Sequence, residues 1–165
     1  MTALEPSQVK ELLNKNWMTH DAMWFFHCQQ KLGMEETNQL NQAAIRSMAQ
    51  IEAGRLAQAL GIASIDSPEA LRRFVEGVFS VAKADFMDFT YEFLQDGSLR
   101  MNMGKCFAHQ GMQRLGVLDQ YRCGIYLRVD VWLKTLGVAY EAEPAFEGCL
   151  KLEQEQCHRT YHFSW

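Results

Sequence analysis

A chain of 165 residues, 48% apolar and 22% charged, has the composition of one ordinary globular domain, which excludes a disordered or low-complexity protein. Its formal charge of −4, with no cluster of Lys and Arg, argues against nucleic acid as a partner. No apolar run approaches the ~20 residues that cross a bilayer, so no membrane partner is expected.

The first residues, MTALEPSQVKELL, lack a basic stretch followed by an apolar one, so no secretory signal is expected. A cytoplasmic, reducing setting follows, in which cysteines are thiols or ligands. Ser7, after Pro6, is expected to cap a short helix through Asn14. Thr19 or Asp21 opens a second, THDAMWFFHCQQKL, closed by Gly33. A longer helix runs from about Glu35 to Leu60, with Leu40, Ala44, Met48, Ile51 and Leu56 turned inward. Ser67-Pro68-Glu69 then combines a capping hydroxyl, a first-turn proline and an acid near the positive end of the helix dipole. The helix it starts carries an apolar stripe of Leu71, Phe74, Val75, Val78, Phe79 and Ala82.

The period changes near residue 85. Met87, Phe89, Tyr91 and Phe93 alternate with Asp88, Thr90 and Glu92 as in a strand with one buried face. Asp96-Gly97 makes the hairpin turn, and Leu99, Met101 and Met103 alternate back. Two helices follow, about Lys105 to Leu115 and Arg122 to Leu136, ending at Gly116 and Gly137. The second presents Ile125, Val129, Trp132 and Leu133 on one side. Strand-like segments at Ala139–Ala142, Ala145–Leu152 and Cys157–Phe163 predict a second hairpin. The fold class is therefore α+β: N-terminal helices, a β-hairpin, two helices and a second hairpin, forming one antiparallel sheet packed by helices. One domain spans 1–165, mainly helical over 1–83 and sheet-containing and cysteine-rich over 84–165.

Four of the five cysteines, Cys106, Cys123, Cys149 and Cys157, fall in that last part, while Cys28 stands apart. Cys106 and Cys123 lie at expected helix starts, where the backbone dipole lowers a thiol pKa. Cys149 and Cys157 flank the expected turn Leu150–Gln156 and can face each other across it. Thiolates gathered in this way hold a soft metal, carry redox chemistry, or are small buried hydrophobes. The intervals contain no C-x₂-C knuckle.

The stretch KCFAHQGMQRLGVLDQYRCGIYLRVDVWLKTLGVAYEAEPAFEGCL, with DAMWFFHCQQKLGMEETNQLN, resembles a domain of unknown function found in bacterial and archaeal cytosolic proteins. That family stands close to proteins described as L-2-amino-thiazoline-4-carboxylic acid hydrolase. In spacing and element order Cys123, Cys149 and Cys157 also resemble the zinc ligands of 4-vinyl-reductase-type domains. Those domains bind small aromatics or hydrocarbons beside a structural zinc, with a glutamate completing the ligands in some. The resemblance implies zinc on Cys106, Cys123, Cys149 and Cys157, with Glu147 the substitute for Cys106. An iron–sulfur cluster on the same thiolates is the alternative cofactor.

His109, one turn beyond Cys106, offers the Cys-His composition of nucleophilic catalysis. His27 is a candidate pocket group or general base. His158 and His162 share the outer face of the last strand and are expected in solvent. Asp130, beside Arg128 and Trp132, is expected in a surface ion pair. Trp24, Phe26, His27, Phe89, Tyr91 and Trp132 are the expected enclosure of an apolar or aromatic ligand. The function expected is small-molecule binding with a cysteine-ligated structural zinc. The alternative is a metal- or cysteine-dependent hydrolase of a small C–N or C–S heterocycle, or an iron–sulfur redox protein. The partner is a small-molecule ligand, with a homodimer left open.

Overall fold

A computed structural model describes residues 4–165. Six helices and four strands form one antiparallel sheet covered by helices. The helices are α1 (Pro6–Leu32), α2 (Met34–Ala59), α3 (Pro68–Ala82), α4 (Phe107–Leu115), α5 (Ile125–Thr135) and α6 (Leu150–Gln154). The strands are β1 (Phe89–Phe93), β2 (Leu99–Met103), β3 (Ala139–Glu143) and β4 (His158–Ser164), in the order β1-β2-β4-β3. The α+β class and the first hairpin agree with the sequence; Tyr91 pairs Met101 and Phe93 pairs Leu99 across it.

The N-terminal helices differ from expectation in an instructive way. Instead of two short helices, α1 runs unbroken for 27 residues. Thr19, an expected start, donates its hydroxyl back to the Lys15 carbonyl at 2.8 Å, and so continues the helix rather than capping a new one. The cap is Glu5, one residue before Pro6, and not Ser7. On α2 the inward face is also corrected: Leu40 and Ile51 are exposed, while Ala49, Ala53 and Ala57 are buried. Small side chains there let α5 approach closely. Gly124, at the start of α5, has no room for a Cβ because the Ile45 side chain occupies that space.

Ser67 does cap α3, accepting from the Ala70 N–H at 3.3 Å. Its apolar stripe lies over the sheet, where the Phe79 ring meets Tyr91 at 4.6 Å, Phe89 at 5.2 Å and Trp132 at 6.1 Å. Leu99 and Met101 of β2 close the core from below. Between α3, α5 and β2 this packing leaves a void of only about 10 Å³.

β3 and β4 pair antiparallel, with Ala142 opposite Tyr161, but their connection is not a simple hairpin. The expected strand Ala145–Leu152 is a loop followed by α6. The Glu153 carboxylate accepts from the Gly148 N–H at 3.0 Å, and the Leu152 and Glu153 N–H groups bond the Cys149 carbonyl. These local bonds favour a helical turn over an extended arm.

Candidate functional site

Each of the four C-terminal cysteines lies at the junction of an element. Cys106 is the residue before α4, and the nearby backbone N–H groups of His109 and Ala108 pull its thiol pKa down. Cys123 lies just before α5, and the N–H groups of Tyr126 and Ile125 act on it in the same sense. Cys149 precedes α6, and Cys157 leads into β4, where its carbonyl accepts from the Met103 N–H at 2.7 Å. All four are free and buried, at 7 to 9% exposure. They occupy one neighbourhood: a thiolate on Cys149 would act on Cys106 and Cys157, and one on Cys106 would act on Cys123 and Cys157.

Burial is the leading influence on these thiols. It pushes Cys123 up to about 12 and raises Cys106 against the pull of backbone N–H groups, and pushes Cys157 up to about 11 against that of the Tyr126 hydroxyl. The Lys151 ammonium, which donates to the Gly104 carbonyl at 2.7 Å, lowers Cys106 and Cys157. Without a stronger positive charge the sulfurs of Cys106, Cys123 and Cys157 are thiols at neutral pH. The donor set suits a soft or borderline cation in kind. Among the described residues, however, no three His, Cys, Asp or Glu side chains stand close enough to hold a metal ion as they are placed.

His109 is half-buried, with Nδ1 3.5 Å from the Cys149 sulfur. The imidazole thus meets Cys149 and not Cys106, its expected partner from the sequence.

Two phenols border the cluster. Tyr121 is buried, its hydroxyl accepts from the Gly124 N–H at 3.3 Å, and burial followed by the charges of Cys123, Cys106 and Cys149 pushes it up. Tyr126 is fully buried, its hydroxyl 3.2 Å from the Cys157 carbonyl and 3.8 Å from the Cys157 sulfur. Both flank Cys123 in the run YRCGIY, and the i,i+3 spacing from Cys123 to Tyr126 is the signal that places the second of them beside it.

The expected ligand enclosure is dispersed. Trp24 is 67% exposed and His27 is exposed on α1, Phe26 is half-buried and rests against the His27 ring, and Phe89 and Tyr91 are half-buried under Phe79. Of these residues only Trp132 lines the small interior void. α1 carries Trp24 and His27 outward because its inward side is taken by Phe25. An open cleft of about 420 Å³ lies elsewhere, among Glu35, Asn38, Asp119, Arg122, Glu147 and Glu153, with Tyr121 and Gly148 in its wall. Tyr121 and Gly148 join that cleft to the cysteine neighbourhood. Its residues come from three distant stretches, and no spacing in the sequence announces them.

Asp130 is not in a surface ion pair. It binds Arg159 at 2.6 Å, their side chains 15% and 9% exposed, and Arg159 also donates to the Pro144 carbonyl and approaches the Tyr161 hydroxyl. Arg128 instead pairs with Glu52, which also accepts from the Trp132 indole at 2.8 Å. Glu147 lies exposed in the cleft wall. His162 is exposed and His158 half-buried, on the outer face of β4.

No curated protein and no solved structure matches the chain. Residues 5–127, about three quarters of the chain, match the model of a family of unknown function, DUF6125, and the chain belongs to that family.

Proposed function

We propose that this is a metal-binding protein in which Cys106, Cys123, Cys149 and Cys157 close around a zinc ion, with a small molecule bound in the neighbouring cleft. The observation that carries the reading is the convergence of four buried thiols from four separate element junctions. An unpaired cluster of this kind has high thiol pKa values, and a divalent cation reverses that by holding the sulfurs as thiolates. Closing on an ion requires the sulfurs to draw inward from their present places, since no three donors stand at binding separation. The likeness to 4-vinyl-reductase-type domains supports the same ligand set. Zinc would tie α4, α5, α6 and β4 together and contribute folding free energy.

The ligand is assigned to the cleft on size. Small-molecule sites run from ~300 to ~1,000 Å³, whereas the interior void of about 10 Å³ holds a single water at most. The test is elemental analysis of anaerobically purified protein, followed by cobalt substitution. One equivalent of zinc and a sulfur-to-cobalt charge-transfer band, both lost in each of the four Cys→Ser proteins, is the expected result. A metal-free protein without such a band under all loading conditions would sink the reading. Visible absorbance from bound iron would assign an iron–sulfur cluster instead.

A second reading rests on one contact, the 3.5 Å approach of His109 Nδ1 to the Cys149 sulfur. An imidazole at that distance can take the thiol proton, which is the arrangement of a cysteine hydrolase acting on a C–N or C–S bond. Its sign is rapid alkylation of Cys149 that His109→Ala slows and that equimolar zinc does not abolish. Slow alkylation unaffected by His109→Ala excludes it.

A further inference from the structure

α1 is apolar on two opposite sides. One carries Phe25, the only buried residue of the helix, and faces inward. The opposite side carries Val9, Leu12, Leu13, Met23 and Trp24, all between 40 and 67% exposed, while Trp17 at its edge turns toward the fold and meets the Arg128 guanidinium. A contiguous apolar stripe that no element of the chain covers marks a surface for a partner. The five share a stripe with Asn16, His20 and His27, and no Lys, Arg, Asp or Glu interrupts it. Charge enters only at its two ends, with Glu5 at the start and Lys31 at the finish.

The stripe is complementary to its own reverse. Val9, Leu13, Asn16, His20, Met23 and His27 follow the alternating four- and three-residue spacing of a helix-pair seam. Laid antiparallel about Met18, Leu13 meets Met23, Leu12 meets Trp24, Val9 meets His27, and Glu5 meets Lys31. The two polar positions in the middle, Asn16 and His20, also meet each other, so neither is left facing an apolar group. A parallel arrangement would set Glu5 against Glu5 and Lys31 against Lys31. A membrane surface would call for free basic residues along the rims of the stripe, whereas Lys10 is engaged by the Ser80 carbonyl and Lys15 by Glu11. At ~1.5 Å per residue the 27-residue helix is ~40 Å long, ample for a two-helix interface.

We propose that the outer face of α1 is a homodimer interface in which the α1 helices of two copies pair antiparallel about a two-fold axis near Met18. Such an interface is isologous, each residue used twice. Sedimentation of the full chain should show a dimer. Leu13→Glu and Met23→Glu should each weaken it by roughly thirtyfold or more, the loss typical of a central interface residue. The register has its own test. Leu13→Glu protein mixed with Met23→Lys protein should recover a heterodimer that neither variant forms by itself, because only the antiparallel pairing sets position 13 against position 23. Far-UV circular dichroism checks folding, and Leu12→Gln and Trp24→Gln replace any variant that fails it. A wild-type protein that stays monomeric when concentrated overturns the proposal, as does a dimer insensitive to these changes. Monomeric protein that binds phosphatidylcholine vesicles overturns it in favour of a lipid surface. Failure of the mixed variants to recover overturns the antiparallel register.

Discussion

The helix α1 and the segment 121–133 are treated in opposite ways by the same fold. Of the 27 residues of α1 only Phe25 is buried, although the helix carries two Trp, two Phe and several Leu. In 121–133 eight of thirteen residues are buried, including Tyr126 at 0% and Leu133 at 2% exposure. Composition contributes, since nine of the thirteen residues are apolar against twelve of the 27 in α1, yet both carry large aromatic and aliphatic side chains. What separates them further is how many elements meet there. The later segment is enclosed by α2, α3, the sheet and the cysteine loops, whereas α1 leans on the rest of the fold along one side.

Paired tryptophans break the comparison most directly. Trp132→Ala removes a buried ring packed on Phe79 and an indole bound to Glu52, and should cost about 3–5 kcal/mol in denaturant unfolding. Asp130→Ala leaves the Arg159 guanidinium without its carboxylate and should cost about 3 kcal/mol, with Asp130→Leu combined with Arg159→Met distinctly milder. Ser67→Ala removes the cap of α3 and should cost about 1 kcal/mol. Trp24→Ala, on the exposed side of α1, should stay within about 0.5 kcal/mol in dilute, monomeric protein. A Trp24→Ala loss comparable to that of Trp132→Ala would mean that α1 is buried against its own chain after all.

Alkaline pH sharpens the contrast further, because it acts on the buried thiols around the later segment. Burial holds the folded Cys123 thiol at about 12 and Cys157 at about 11, above the ~8.5 of an unfolded thiol. Between those values the unfolded chain has released protons that the folded one keeps. The stabilisation is therefore full below about pH 8.5 and is lost as pH rises through the folded values. The melting temperature of metal-free protein should fall across that window, and Cys123→Ala should flatten the fall. With zinc bound the dependence should reverse sign at lower pH, because the ligands must then shed protons to bind.

Much of the fold was written locally. Ser67-Pro68-Glu69, Asp96-Gly97 and the alternation of Leu99, Met101 and Met103 each act within a few residues, and each stands where the sequence placed it. The continuity of α1 was hidden because Thr19 reads equally well as a cap and as a residue that bonds back to Lys15. The inner face of α2 was hidden because hydrophobicity points to Leu40 and Ile51, while packing against α5 favours the small side chains of Ala49, Ala53 and Ala57. The cysteines could be listed from the sequence, and their common neighbourhood follows from pairing β4 with β2. Contacts of His109 with Cys149 and of Asp130 with Arg159 join residues 40 and 29 positions apart, so no local pattern contains them.

The strand order carries a consequence for the path by which this protein folds. β4 comes last along the chain yet lies between β2 and β3, so Leu99 must wait for Tyr161 before the sheet is continuous. Closures over such sequence distances are slow compared with helix formation or the β1–β2 hairpin. Cys157 enters on the same strand, so the thiol neighbourhood assembles in that late step. A brief pulse of alkylating reagent during refolding should mark Cys157 long after the helices have formed, and its protection should appear together with the final fluorescence change of Trp132.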